Sequence, residues 1–243
     1  MALRYSTDLG VLDRLKNDLA LRVRRRIFDR FMREFEPGPQ ARVADFGVSG
    51  HRDHPAHYFF ESLYPHRSQL TVIGREAEEA RWFAEAFPGV KFLEADLRSI
   101  PVPDGYFDYG ICNAVVEHAG STVQQAALVA EICRSCRCVL FTTPNKRFPI
   151  ELHTWLPVLH WLPDPAYRAA LRRLGFAHFA DIENLNLLDA WSFLSLFPGS
   201  RRNEVIKAGL PLLRSNLVCV SREVGPSRIG RRPAGVNVGD EVR

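Results

Sequence analysis

No stretch of the 243-residue sequence holds 18 or more consecutive apolar residues, so nothing in it predicts a helix that crosses a bilayer. The opening residues, MALRYSTDLGVLDRLKNDLA, lack the basic-then-apolar layout of a secretory signal, and a cytoplasmic location is the expectation. Cysteine is scarce, at five, which speaks for a reduced compartment and against a disulfide framework. Three of the five, Cys133, Cys136 and Cys138, sit in CRSCRC. No second Cys/His pair follows at ligand spacing, so half a zinc site is all they could make, and no metal is expected there. They straddle a predicted helix end and strand start, where small apolar side chains tend to be buried. Internal repeats are absent. Net charge is small, +4, and the excess lies within residues 14–36, where eight Arg or Lys face four Asp or Glu. A nucleic-acid binder would spread positive charge over a face of the fold, so no nucleic-acid partner is expected. The run reads as the solvated face of a basic helix, with peripheral contact to an anionic membrane surface or an acidic partner as the other reading.

Glycine is the most informative shortage. In RVADFGVSGHRDHP, residues 42–55, an apolar run ends in Asp45 and Gly47 as a strand does when it feeds a nucleotide-binding loop. Of the glycines such a loop carries, only Gly47 and Gly50 are present. Ser49 stands where a pyrophosphate needs the closest backbone approach, and Arg52 follows. That disfavours NAD. S-adenosylmethionine has no phosphate, and asks only that the loop pass its amino-acid end and sulfonium without a side chain in the way.

What is present is an α/β pattern. With 46% apolar and 25% charged residues, the chain has the composition and size of one soluble α/β domain. Leu12, Leu15, Leu19, Val23, Ile27, Phe31 and Phe35 recur three or four apart and predict a long helix over 11–36, ended by EPGP. Short apolar runs then alternate with helical patterns: RVADFGV, LTVIG, VKFLEA, YFDYGICNAV and CVLFTTP as strands, EAEEARWFAEAF and TVQQAALVAEIC as helices. After Pro144 the sequence turns rich in Pro, Trp and His, and 146–163 reads as a lid over an acceptor. Helical patterns return at 165–174 and 187–197. NEVIKAGL and SNLVCVSRE are strand-like and too closely joined for a parallel crossover, so they pair antiparallel. The expected organisation is a helical extension at 1–40, a main domain at 41–224 and a disordered tail at 225–243.

In an open parallel sheet the ligand lies beyond the carboxyl ends of the strands. The residues there are Asp45, Gly47, Ser49, Gly50, Glu76, Asp96 with Leu97, and Asn113. Glu76, past the second strand, suits a ribose, whose two hydroxyls a carboxylate can accept. Asp96, past the third, suits an adenine amino group. Each acid alone is an ordinary loop carboxylate; three ending successive strands form a pattern. His118, after the fourth strand, and His153, in the lid segment, are the candidate general bases for a hydroxyl acceptor. Packing roles compete at both. His51, His54 and His57 are spaced three apart on a possible helix, but no further ligand accompanies them, and no metal is expected.

The order D-x-G, G-x-E, A-D and then FDYGICNAVVEH resembles a class I S-adenosylmethionine-dependent methyltransferase of the bacterial branch with EH after the fourth strand. The run TTPNKRFPIELHTWLP is similar to one type-11-like subgroup of that branch. The resemblance spans about residues 25–222. It implies a doubly wound, Rossmann-like, mostly parallel seven-stranded sheet with an antiparallel final strand pair. It also implies S-adenosyl-L-methionine as cofactor, with Asp45, Gly47, Glu76 and Asp96 as contacts and Asn113 beside the methionine end. Ser49 and His51 depart from the family's glycines. Two other classes stay open: a non-catalytic cofactor-binding or scaffold protein, and a nicotinamide oxidoreductase. The acceptor, whether small molecule, sugar or lipid-linked, is not legible.

Overall fold

A computed structural model describes residues 8–48, 55–75, 77–210 and 213–224. Seven strands form one sheet: β1 Val43–Phe46, β2 Leu70–Gly74, β3 Lys91–Glu94, β4 Phe107–Asn113, β5 Cys136–Pro144, β6 Arg201–Leu210 and β7 Leu213–Glu223. Their order is β3-β2-β1-β4-β5-β7-β6. The first five pair in parallel, while β7 runs antiparallel to both β5 and β6. This is the doubly wound sheet with an antiparallel end that the sequence predicts. The order reverses between β1 and β4, so a crevice opens at the carboxyl ends of those two strands.

Alternation along each strand divides the core. Val43, Tyr109, Ile111, Leu140, Val218 and Val220 face one side. Ala44, Phe46, Cys112, Val139, Phe141 and Cys219 face the other. On the first side lie α1 (Asp8–Phe35), α2 (Phe59–Leu63) and α3 (Ala77–Ala86). The C-terminal half of α1 buries Ile27, Phe31 and Phe35 there, with Phe31 edge-on to Phe60 and Phe35 stacked on Tyr109. Glu34 pairs with Arg222 of β7 and Arg26 donates to the carbonyl of Gly209 on β6. The expected extension is therefore a layer of the core over this half of its length. The other side carries α4 (Thr122–Ser135) and α6 (Ala190–Leu194). α4 begins with a capping box between Ser121 and Gln124, which satisfies two of its free amides. α5 (Asp164–Arg173) falls where the helical pattern at 165–174 predicts it. The pattern at 187–197 shortens to the five residues of α6, capped by Asp189 and Ser192. α2, at five residues, is too short to show a helical period in the sequence.

The cysteines behave as small core side chains. Cys133, Cys136 and Cys219 are buried and free, and burial pushes their thiols up. Cys136 Sγ donates to the Cys138 carbonyl at 3.3 Å. No helix among the described residues is long and apolar enough to cross a membrane. The expected tail at 225–243 lies outside the described residues.

Candidate functional site

A cavity of about 440 Å³ opens at the carboxyl ends of β1 to β4, within the roughly 300–1,000 Å³ typical of small-molecule sites. Gly47, Asp96, Leu97 and His118, all chosen from the sequence, line it together. Asp45, the penultimate residue of β1, and Asn113, the last of β4, are not among its lining residues. Ser49, Gly50 and Glu76 lie outside the described residues, as do His51 and His54.

Gly47 has φ +87°, and a Cβ there would stand 2.6 and 2.9 Å from the two Val115 methyls and 3.2 Å from Leu97 Cδ1. The chain needs glycine at this point for its own packing, before any ligand is considered. Its amide and that of Val48 donate to the Ile73 carbonyl, which ties the start of the loop to β2.

Asp96 is heavily engaged. It accepts from Arg98 at the backbone N, Nε and Nη2 (2.9, 3.0 and 2.7 Å) and from Arg75 Nη2 at 2.8 Å. These donors hold its carboxyl well below the usual range. Two cations thus flank the wall assigned to adenine, and neither was singled out from the sequence. Asp45 is the opposite case: burial pushes it up to about 7. Glu61 of α2, fully buried, with neither carboxylate oxygen hydrogen-bonded, is raised well above its ordinary value by burial and by Asp45. Asn113 Oδ1 accepts from Thr142 Oγ1 at 2.7 Å across the β4–β5 pair. Ala114, with φ +55°, then turns the chain out of the sheet.

His118 and His153 are 35 positions apart in sequence, and their Nε2 atoms stand 3.2 Å apart. His118 ends a 3₁₀ turn, Val116–His118, that follows β4. Its Nδ1 lies 2.7 Å from the Asn184 carbonyl. His153 belongs to the 146–163 segment, which has a single 3₁₀ turn, Leu159–Trp161, and whose turn at 151–154 is gathered by one carboxylate. Glu151, 2% exposed, accepts from His153 N and Nδ1 through Oε1 and from Thr154 N and Oγ1 through Oε2, all at 2.6–2.9 Å. These bonds hold Glu151 down at about 2 against the opposing effect of burial. Burial lowers His153 and the Glu151 contact outweighs it, so the imidazole is raised. The turn at 151–154 is thus pinned, while Trp155, Val158, Trp161 and Leu162 of the same segment are exposed. Sequence reading singled out both histidines and missed Glu151. A Glu two residues before a His was the available signal.

A family model described as a methyltransferase domain matches residues 58–138. No curated protein matches the chain. The YcgJ protein of Bacillus subtilis is 15% identical, with a TM-score of 0.55 over 83% of this chain and 100% of that one. The N-methyltransferase NodS of Bradyrhizobium japonicum, in complex with S-adenosyl-L-homocysteine, is 14% identical, with a TM-score of 0.53 over 83% of this chain and 87% of that one. A putative zinc-dependent alcohol dehydrogenase of Rhodobacter sphaeroides gives 13% identity and a TM-score of 0.54 over 82% of this chain and 90% of that one. At these identities the likeness is one of fold, and the fold is the class I, Rossmann-like one.

Proposed function

We propose that this chain is an S-adenosylmethionine-dependent methyltransferase of the bacterial EH branch, acting on an oxygen or nitrogen of a small-molecule, sugar or lipid-linked acceptor. One observation carries the reading: the cavity at the carboxyl ends of β1 to β4 meets the His118–His153 pair at its rim. The match to the methyltransferase-domain model over 58–138 supports it. So does the S-adenosyl-L-homocysteine bound by NodS, a protein of the same fold.

The cavity's size and its mixed wall fit an adenosyl group with an amino-acid end. Leu97 and Ile73 offer apolar surface, and the Asp96–Arg75–Arg98 cluster offers polar contacts. The tight turn at Gly47 would pass the methionine end, Asp96 and Leu97 would flank the base, and Glu76 would take the ribose hydroxyls. The bound cofactor supplies an activated methyl on a sulfonium, which needs little covalent help. The protein's part is alignment, which contributes roughly 7–11 kcal/mol in the best-oriented model systems. An acceptor hydroxyl must also lose a proton. An Nε2 lone pair of the His118–His153 pair is placed to take it, which adds roughly 10²–10⁴ in rate. The exposed Trp155, Val158 and Trp161 give the acceptor an apolar surface. The exposed arginines of α1, Arg22, Arg25 and Arg26, suit peripheral contact with an anionic membrane, where a lipid-linked acceptor would reside.

Titration calorimetry with S-adenosylmethionine, S-adenosylhomocysteine and NAD tests the reading. Micromolar binding of the first two and none of NAD is expected. Binding of NAD alone would establish the oxidoreductase alternative, and binding of none the scaffold one.

A further inference from the structure

We infer that Glu117, His118 and His153 form a binding site for one first-row divalent cation, zinc by the chemistry of its donors, at the acceptor end of the cavity. The hydrogen bonds fix the tautomers. The Asn184 carbonyl can only accept, so His118 Nδ1 carries a proton. Glu151 takes the His153 amide on the same Oε1 and two Thr154 donors on Oε2, so His153 Nδ1 is the donor to it. With both Nδ1 atoms donating, the two Nε2 atoms of the neutral rings face each other as bare lone pairs at 3.2 Å. Two lone pairs at that distance repel unless something electrophilic sits between them. Two imidazoles on one tetrahedral zinc, with Zn–N of roughly 2.0–2.1 Å, place their nitrogens about 3.3–3.4 Å apart.

A shared proton would also bridge the pair, but it leaves a third group unexplained. Glu117 is fully buried, its Oε2 accepts from Thr143 Oγ1 at 3.0 Å, and its Oε1 has no hydrogen-bond partner. A buried carboxylate oxygen without a partner is costly. The Glu117 oxygen and the two imidazole nitrogens lie within 4.8 Å of one another, so a single cation satisfies all three at once.

The surroundings have the form of a built site. Each histidine is oriented through Nδ1 by an acceptor, one of them a buried carboxylate, the arrangement that fixes metal-bound imidazoles elsewhere. Two imidazoles and one carboxylate suit zinc and its first-row neighbours better than magnesium or calcium. Three protein ligands leave a coordination position open, and His118, the exposed member, faces the cavity. An acceptor hydroxyl bound there would be acidified by the cation. The histidines would then serve as ligands, and the base assignment above would pass to solvent. The site itself does not depend on the methyltransferase reading.

The test is metal binding by the full chain, stripped with a chelator and dialysed. Zinc chloride titration with mass-spectrometric metal analysis should give one tight site per chain, and magnesium should not compete. Cobalt(II) should give visible d–d bands without the near-ultraviolet thiolate charge transfer that the cysteines would produce. His118→Ala and His153→Ala should each weaken zinc at least tenfold while keeping a folded circular-dichroism spectrum, and Glu151→Gln should weaken it roughly 10–100-fold. Should a variant not fold, the cobalt spectrum of the wild type decides alone. Failure to retain zinc, thiolate bands, or equal affinity in folded histidine variants would each overturn the site. Cofactor calorimetry on the same stripped protein reports separately on the methyltransferase reading.

Discussion

Asp45 and Glu61 make the stability of this fold fall as pH rises through neutrality. Burial holds Asp45 at about 7 in the native chain, against 3.8 for the free side chain. Glu61, beside it, is also raised, by burial and by the Asp45 carboxylate. A carboxyl raised in the folded state favours folding while it is protonated. Its contribution is complete below the unfolded value and is lost as pH climbs through the folded one. From pH 5 to about 7 the unfolded Asp45 is already ionised while the native one still holds its proton, so stability falls, and above that the native one ionises too and the fall levels off. Integrating one such group over that window gives a loss of about 2–3 kcal/mol. For a chain of this size that is a fall of about 4–12 °C in Tm. His153, raised by Glu151, loses stabilisation in the same direction, so wild type alone does not isolate the acid pair. Asp45→Asn removes the Asp45 share alone. Differential scanning calorimetry from pH 5 to 8 should show a clear fall for wild type and a fall smaller by about 2–3 kcal/mol in the variant, the remainder belonging to Glu61 and His153. An unchanged slope in Asp45→Asn would mean that the carboxyl is ionised and solvated in the native state, and the argument from burial would be wrong.

Three further outcomes are expected. Gly47→Ala places a methyl against Val115 at a φ of +87° and should destabilise the fold by roughly 1–3 kcal/mol. Adding Val115→Ala should recover part of that in chemical denaturation, and no recovery would exclude the contact as the cause. Glu151→Ala removes four hydrogen bonds to a buried carboxylate and should cost roughly 2–4 kcal/mol. Hydrogen exchange should show the amides of His153 and Thr154 protected in the ligand-free wild type and fast in the variant, whereas equal rates would make the hub dispensable. Glu76→Ala should weaken S-adenosylmethionine by roughly 1.5–3 kcal/mol, the range for hydrogen bonds to a charged group, and unchanged calorimetry would reduce Glu76 to a surface acid.

The fold was legible because its signals are local. β5 carries a near-continuous apolar run since both of its faces are covered, and β6 and β7 sit too close in sequence for any pairing but antiparallel. The face of α1 that meets Phe60 and Tyr109 is the stripe read from its periodicity. The floor of the site was legible for the same reason: Gly47, Asp96 and Leu97 each follow a strand. The environments that set their chemistry were not. Nothing near Asp96 in the sequence says that Arg75 will reach it from the end of another strand, or that the five-residue α2 will bring Glu61 to Asp45.

The histidines mark the boundary between the two kinds of information. Each was visible as a candidate on its own, one after β4 and one in a proline-interrupted segment with no period. Their 3.2 Å approach is a property of the tertiary structure. It requires Glu151 to gather the turn at 151–154, and the chain around Asn184 to return beside the 3₁₀ turn that carries Glu117. That return is fixed by backbone pairing, since the Asn186 amide donates to the Glu117 carbonyl at 2.8 Å and Gln125 holds the carbonyls of Val116 and Asn186 together. A buried carboxylate and two oriented imidazoles therefore converge through three separate segments, each held by its own hydrogen bonds. An arrangement so held changes little when an ion enters, so the ordering cost of binding is already met by the fold. The prolines of the 146–163 segment thus have a second consequence. They deny it regular structure and leave its organisation to individual hydrogen bonds, among them those of the carboxylate that orients His153.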